Sequence, residues 1–339
     1  MTLNMSDQTD RAKPVPMQAS VQPARTGMKT LAVVLQAPER LRLEQLPLDA
    51  ASEADVVVDI DWSGISTGTE RLLWSGRMPA FPGMGYPLVP GYESVGTVAT
   101  AGSQSGLSAG DRVFVPGARC FGEVRGLFGG AASRVVLPGA RVIPVDEHLG
   151  DRAVLLALAA TAWHAGGGGA FAPPDLIVGH GVLGRIMARL AVAAGGSPVV
   201  WETDRGRRTG EAGYTVTEPS SDPRRDYRSI CDVSGDSQLL DTLIGRLAPG
   251  GEIVLAGFYP APLTFQFPPA FLREARIRVA AQWLPADLCA VRDLACSGRL
   301  SLDGLITHRR SALQAEAAYR TAFGDPQCLK MILDWRNCS

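Results

Sequence analysis

The sequence predicts an α/β protein, a doubly wound parallel sheet preceded by a β-rich N-terminal domain, on three observations. Short apolar runs separated by Gly, Pro and Asp turns fill residues 29–152, the spacing of a compact β-barrel or sandwich. From about Gly150 the apolar runs alternate with helical stripes, the pattern of βαβ units. Within that second part a strand runs into Gly179-His-Gly181-Val-Leu-Gly184 and out into a helix, as a dinucleotide-binding turn does.

The bulk properties agree. The 339 residues suggest two domains. Hydrophobic residues make up 46% and charged residues 20%, as in ordinary globular chains. With 33 basic and 34 acidic residues the net charge is -1, which gives no footprint for nucleic acid. Local basic clusters, Arg205, Arg207 and Arg208, then Arg224 and Arg225, read as solvated loop charges. The six cysteines include no Cys-x-x-Cys pair and form neither a disulfide nor a zinc framework; reduced thiols and a cytoplasmic location are expected. Ala153–Trp163, the longest apolar run, is short of the roughly 20 residues that span a bilayer and reads as a buried helix, so no integral membrane segment is expected. Residues 1–27 are polar and proline-rich without periodicity; they read as a disordered tail, with no apolar stretch for a signal peptide and Met28 opening the folded part.

In chain order, the N-terminal strands are centred on Leu31–Leu35, Val56–Ile60, Val95–Val98, Arg112–Val115 and Arg134–Leu137, with Gly110-Asp111 and Pro138-Gly139 as turns. Asp175–Gly179 is the next strand. On the helix after Gly184, Ile186, Leu190 and Ala193 share one face, Arg185 and Arg189 another. Gly195-Gly196 cap it, and Pro198–Trp201 follows as a strand. Ile230–Val233 is a strand ending at Ser234-Gly235. Leu239, Leu240, Leu243, Ile244 and Leu247 form a helical stripe with Asp236 or Ser237 as N-cap. Pro249-Gly250-Gly251 turn into the strand Glu252–Gly257, and a C-terminal helix presents Leu313, Ala317 and Phe323.

The Gly-x-Gly-x-x-Gly context assigns roles. Gly179 permits the tight turn, Gly181 the approach of a pyrophosphate and Gly184 close helix–sheet packing. The helix start at Val182, Leu183 and Gly184 offers unpaired N–H donors to phosphate. An acid should end the next strand and bind the adenosine ribose. Glu202 is favoured over Asp204 because it directly follows Trp201. An acid there favours NAD, while Arg205, Arg207 and Arg208 could neutralise the extra phosphate of NADP.

The β-rich-then-Rossmann order resembles the medium-chain dehydrogenase/reductase superfamily. The segments that carry the resemblance are Pro90–Val98, Ala109-Gly-Asp-Arg-Val113, Ala160-Thr-Ala-Trp-His-Ala165, Leu247–Gly257, Leu305-Ile-Thr-His308 and Leu329–Leu333. It implies a GroES-like catalytic domain from 28–150 and 296–339, a Rossmann domain over 151–295, and a homodimer. It places Thr161 beside the nicotinamide and adds the strand ends Ser234 and Gly257 to the cofactor set. The positions of the superfamily's catalytic zinc ligands fall on Ser66 or Thr67, on Tyr92 and on Ala157. A hydroxyl, a phenol and a methyl group do not make a zinc site, so no metal is expected.

A narrower resemblance lies in Trp62–Trp74, Met78-Pro79, Phe81–Glu93, Asp175–Arg185, Asp222–Tyr227, Gln282–Asp287 and Leu302–Arg310. These segments closely resemble the dehydrogenase family of the bacteriochlorophyll pathway. That implies oxidation of the C3 1-hydroxyethyl group of a bacteriochlorophyllide to acetyl, with NAD as acceptor. Without zinc, hydrogen bonds and a base must replace the Lewis acid. Tyr92 is the first candidate: its reference pKa near 10 would need lowering, or it could act as a donor in the reverse direction. Glu93 could orient it or relay a proton, Ser66, Thr67 and Thr69 add hydroxyls, and His164 could pass protons to solvent. Each has a structural alternative: packing for Tyr92, pairing inside the domain for Glu93, a satisfied helix-end histidine, and capping for Thr69 and Thr161. Trp62, Trp74, Phe81, Met84, Tyr86, Phe128 and Trp283 could line a broad apolar cleft, covered by the loop Pro79–Gly91. The competing readings are a zinc-free NADPH-dependent quinone or enoyl reductase, and a dinucleotide-binding protein without turnover.

Overall fold

The computed structural model describes residues 25–80, 82–209, 213–280 and 282–338. The tail expected over 1–27 falls mostly outside the described residues, as does Phe81; the first strand already begins at Arg25. The first part runs β1 (Arg25–Ala37), β2 (Arg40–Asp49), β3 (Asp55–Ile65), α1 (Thr69–Trp74), β4 (Leu88–Val89), β5 (Ser94–Ala101), β6 (Arg112–Val115), β7 (Arg125–Gly126), β8 (Arg134–Pro138) and β9 (Ile143–Pro144). Then come α2 (Leu156–Ala165), β10 (Leu176–Val178), α3 (Val182–Ala193), β11 (Val199–Trp201), β12 (Thr215–Thr217), β13 (Tyr227–Asp232), α4 (Leu240–Ile244) and β14 (Leu247–Leu255). The chain closes with α5 (Phe267–Leu272), β15 (Arg276–Val279), α6 (Pro285–Cys296), β16 (His308–Ser311), α7 (Ala315–Gly324) and β17 (Met331–Asp334).

Three sheets result. One has four strands in the order β2-β1-β4-β7. A second runs β16-β17-β3-β5-β6-β9, with β8 also paired to β3. The third is the six-stranded β12-β11-β10-β13-β14-β15, whose pairings are all parallel. Its order reverses between β10 and β13, the place where ligands bind in open parallel sheets. The chain end returns to the first lobe: β17 pairs antiparallel with β3, Met331 opposite Ile65. One apolar cluster bridges the two parts. It holds Val95 and Phe114 of the first, Ala157, Val182 and Ile186 of the second, and Ile332 of β17.

Two helical expectations are corrected. The stripe Leu239–Leu247 is helical only over Leu240–Ile244, with Leu239 at the N-cap. Asp236 instead accepts from Gln238 N at 2.9 Å in the preceding turn. Leu247 is taken into the sheet, where it pairs with Tyr227 before the register jumps to Ser229 opposite Glu252. Pro249-Gly250-Gly251 form that irregularity, with Gly250 at φ +73. In the C-terminal helix the buried face is Ala315, Ala318, Tyr319 and Ala322. Leu313 and Ala317 are exposed, because the helix is turned to pack Tyr319 and Phe323 on Trp74, with ring centroids 6.0 and 6.2 Å away.

Candidate active site

The glycine turn has the geometry its spacing predicts. Gly179 sits at φ +104. A Cβ on Gly184 would lie 1.9 Å from the Gly179 carbonyl oxygen, whereas one on Gly181 would meet nothing within 4 Å. So Gly184 is required by packing alone, and Gly181 leaves open space at the start of α3. There the N–H groups of Val182, Leu183 and Gly184 lack intrahelical acceptors and can hold a pyrophosphate. Glu202, just past β11, accepts from His180 N at 3.1 Å and Asp204 N at 2.8 Å. Its carboxylate is thereby locked against the glycine turn. His180 is a satisfied core histidine, with ring nitrogens 2.7 Å from Arg207 O and 3.0 Å from the Tyr214 hydroxyl. Arg208 pairs with Glu218 at 2.9 Å, Arg207 donates to Pro326 O at 3.2 Å, and Arg205 is exposed.

At the neighbouring strand ends, Ser234 Oγ donates to Asp232 at 2.7 Å and accepts from Asp236 N at 3.1 Å. The Tyr259 hydroxyl donates to the other Asp232 oxygen at 2.9 Å. Burial raises the Asp232 pKa against these bonds. A Cβ on Gly257 would stand 2.8 Å from Gly235 N, so close approach of two chain segments requires this glycine. On α2, Thr161 Oγ donates to Ala157 O at 2.9 Å, the local bond typical of helical threonine. One turn on, His164 Nδ1 lies 2.8 Å from Asp287 Oδ2. Asp287 is buried and also accepts from Leu284 N at 2.8 Å. The pair ties α2 to the start of α6 and fixes the imidazole.

The hydroxyl cluster forms where β3 meets α1. Tyr92 OH and Ser66 Oγ are 2.7 Å apart, and Thr69 also hydrogen-bonds Tyr92. Of the two residues at the first ligand position it is Ser66 that reaches Tyr92; Thr67 is half-buried in the turn beyond it. Phe128 stands edge-on to Tyr92 at 5.2 Å. Burial, then the charge of Glu93, pushes the Tyr92 phenol further up from its ordinary value. Of the two roles the sequence left open for Tyr92, a base with a lowered pKa or a proton donor in the reverse direction, the raised pKa suits the donor and not a resident phenolate. Glu93 is fully buried and forms an ion pair with the equally buried Lys330. A Cβ on Gly64 would come within 2.5 Å of Glu93 Oε2, so this glycine makes room for the pair. The geometry is that of a paired carboxylate.

Sequence reasoning missed three residues here: Glu70, Tyr319 and Lys330. Glu70 is buried, accepts from Ser66 N at 3.1 Å and from the Tyr319 hydroxyl at 2.6 Å. Burial pushes its carboxyl up to about 7. A lysine inside the apolar run Leu329–Leu333, and a glutamate between Thr69 and the apolar Leu72–Trp74, were the available signals.

The aromatic candidates divide. Trp74 is core, stacked among Tyr319 and Phe323. Met84, Tyr86 and Phe128 pack half-buried on the first-lobe core, and Tyr86 donates to Leu73 O. Trp62, Tyr92 and Trp283 pack against the bridging cluster that contains Val182, Ala157 and Ala160. Among the described residues no group of three or more His, Cys, Asp or Glu is placed to hold a metal, and no helix is long and apolar enough to cross a membrane.

A hydroxyl-lined loop in a β-rich lobe, packed against a dinucleotide-binding sheet, defines a dehydrogenase of the nicotinamide-dependent alcohol dehydrogenase type. Residues 52–147 match the alcohol dehydrogenase GroES-like domain. Solved structures share the architecture: L-idonate 5-dehydrogenase of Escherichia coli (TM-score 0.78, 19% identity, 91% of this chain and 98% of that one), and an E. coli alcohol dehydrogenase complexed with NADH (0.76, 20%, 91% and 100%). The curated 2-desacetyl-2-hydroxyethyl bacteriochlorophyllide A dehydrogenase of Rhodobacter capsulatus is 58% identical over 91% of this chain and 99% of its own. That of Cereibacter sphaeroides is 57% identical over the same shares. The chain belongs to this family of bacteriochlorophyllide dehydrogenases.

Proposed function

We propose that the protein oxidises the 1-hydroxyethyl group of a bacteriochlorophyllide to acetyl, with NAD as hydride acceptor and no catalytic zinc. The observation that carries the reading is the near-full-length likeness to relatives named for that substrate. We assign residues 28–150 and 296–339 to the catalytic lobe and 151–295 to the nucleotide lobe, a division supported by the return of β17 to β3.

The residues fit a dinucleotide. The N–H groups of Val182, Leu183 and Gly184 would hold the pyrophosphate, and Glu202 the adenosine ribose. A carboxylate there repels the extra phosphate of NADP, and Arg207 and Arg208 are engaged elsewhere. When bound, a nicotinamide ring would supply the acceptor for the hydride of the carbinol carbon. The hydroxyl proton must leave as the C=O bond forms. Tyr92 accepts it on its oxygen as its own proton passes to Ser66 or Thr69, and the hydroxyl that receives it releases its own proton to solvent at the partly exposed Thr69, so every group of the relay ends neutral. Ser66 and Tyr92 hydrogen-bond each other at 2.7 Å, and with the Ala157 methyl they offer zinc no suitable donor set. Trp62, Phe128 and Trp283 supply apolar walls for a flat macrocycle. We assign the homodimer to the open edge of β15, where Ile277 and Val279 are exposed; unpaired sheet edges favour strand pairing.

The test is an absorption time course with 3-(1-hydroxyethyl) bacteriochlorophyllide a and either NAD or NADP, in chelator-treated buffer. A red shift of the long-wavelength band with NADH formed in step is expected. No shift despite NAD binding sinks the pigment reading; turnover with NADPH and a quinone or enoyl substrate replaces it.

A further inference from the structure

Beneath the hydroxyl cluster lies a second layer of groups that the mechanism above does not use. Glu70 (α1), Glu93 (just before β5), Tyr319 (α7) and Lys330 (just before β17) come from four separate elements, and each is at most 1% exposed. Lys330 supplies the one ammonium of the group, and it pairs with Glu93. Glu70 reaches no cation directly. Its two oxygens are held instead by Ser66 N at 3.1 Å and the Tyr319 hydroxyl at 2.6 Å. Ser66 is the residue whose hydroxyl meets Tyr92. Two buried carboxyls thus face one buried cation, and a second unpaired charge in such a place is costly.

We propose that Glu70 is a positioning residue for the alcohol-oxidation step: it clamps the Ser66 turn beneath Tyr92 and stores the proton that keeps the buried cluster neutral. The inference rests on the dehydrogenase reading and deepens it. No side-chain path leads from Tyr92 to Glu70, since the link between them is the Ser66 backbone N–H. Glu70 therefore acts through charge and placement and not as the base. The groups facing it are Ser66, Tyr92 and Glu93 from the turn and the segment before β5, Tyr319 from α7 and Lys330 beside β17. Burial drives its carboxyl up to about 7, against the Tyr319 and Ser66 hydrogen bonds, with Glu93 adding to the rise and Lys330 opposing it. An ionised Glu70 raises the proton affinity of Tyr92. A negative charge beneath the relay favours the arrival of the substrate's proton in it as a whole, while the phenol itself stays neutral. Oxidation is then faster once Glu70 has lost its proton, and the reverse reduction faster before.

Two measurements on the full chain test this. The first needs no substrate: infrared titration of the free protein between about pH 6 and about pH 9 should show a protonated-carboxyl band that disappears near neutrality. Glu70→Gln should lack it, and Tyr319→Phe, which removes a bond to the carboxylate, should retain it to higher pH. The second is the pH profile of kcat for oxidation. The wild type should rise through neutrality, while Glu70→Gln, an isostere of the protonated form, should stay about tenfold lower on the alkaline side with NAD affinity unchanged. Glu70→Asp should restore an inflection. A band that survives Glu70→Gln, or a kcat loss equal at all pH, overturns the proposal. A titrating band lost in Glu70→Gln, with no pigment turnover in any form, upholds proton storage and overturns the substrate reading and the positioning of this step.

Discussion

Replacing Lys330 by Met is the sharpest probe of how this site is held together. Glu93 is 0% exposed and Lys330 1%, so the substitution leaves a carboxylate with neither water nor a counter-charge. Breaking a buried pair from one side costs roughly 3–5 kcal/mol. For 339 residues the unfolding entropy is about 0.7 kcal/mol/K, so Tm should fall by roughly 4–7 °C. The loss must also depend on pH in a particular sense. Burial already raises the Glu93 pKa and Lys330 opposes the rise, so removing the lysine raises it further. A carboxyl with a folded pKa above its unfolded value binds more protons when folded. Its protonated form is accommodated below the unfolded value of 4.5, and stability declines as pH climbs from there to the folded pKa, by up to about 1.4 kcal/mol per unit. Calorimetry of Lys330→Met at about pH 5 and about pH 8 should show the larger deficit at the higher pH. Lys330→Met with Glu93→Gln should recover most of it, because no charge remains to be stranded. Equal Tm for wild type and Lys330→Met at the higher pH, or a deficit that ignores pH, would refute the reasoning.

Other outcomes follow from the same geometry. A Cβ on Gly181 meets no protein atom within 4 Å; Gly181→Ala should keep its Tm yet weaken NAD by about tenfold or more in a fluorescence titration. Gly184→Ala, with its Cβ 1.9 Å from Gly179 O, should lose both Tm and NAD binding. Glu202→Ala should raise the Kd for NAD by about tenfold or more and narrow its preference over NADP; an unchanged ratio would dissociate Glu202 from the ribose. Tyr92→Phe should lower kcat by about 10²–10⁴ with NAD affinity intact, and full turnover would remove Tyr92 from the proton path. Val279→Asp, on a residue 74% exposed, should convert the proposed dimer to monomers in sedimentation velocity, and an unaltered sedimentation coefficient would refute a dimer built on β15.

The glycine turn and its contact with Glu202 were legible because their determinants are local. Gly179, Gly181, Gly184 and Glu202 lie within one βαβ unit, where spacing alone dictates how turn, helix and strand end meet. The apolar alternation likewise placed β3, β5, β6 and β8. The buried layer of Glu70, Glu93, Tyr319 and Lys330 was not legible, because it is built from contacts that spacing does not encode. Tyr319 meets Glu70 across 249 residues, and Lys330 reaches Glu93 from the far end of the chain. Tyr92 was found through its position in a family segment, but the direction of its pKa depends on the carboxyl packed behind it. The stripe Leu239–Leu247 misled for a similar reason: sheet pairing with Tyr227 claimed Leu247 from the helix.

The return of the last strand to β3 also sets an order of events during synthesis. Trp335 Nε1 donates to Ser63 Oγ at 2.8 Å across 272 residues, beside the pairing that delivers Lys330. At about 5–20 residues per second a ribosome needs roughly 15–55 s to make that intervening chain. Throughout that interval the Trp62–Ile65 end of one edge of β3 has no neighbour and Glu93 has no counter-ion, so the N-terminal lobe emerges first but matures last. The nascent chain is therefore exposed to strand-pairing errors at that end of β3 until β17 has been made, and a truncation that removes β17 would strike the first lobe and not the parallel sheet.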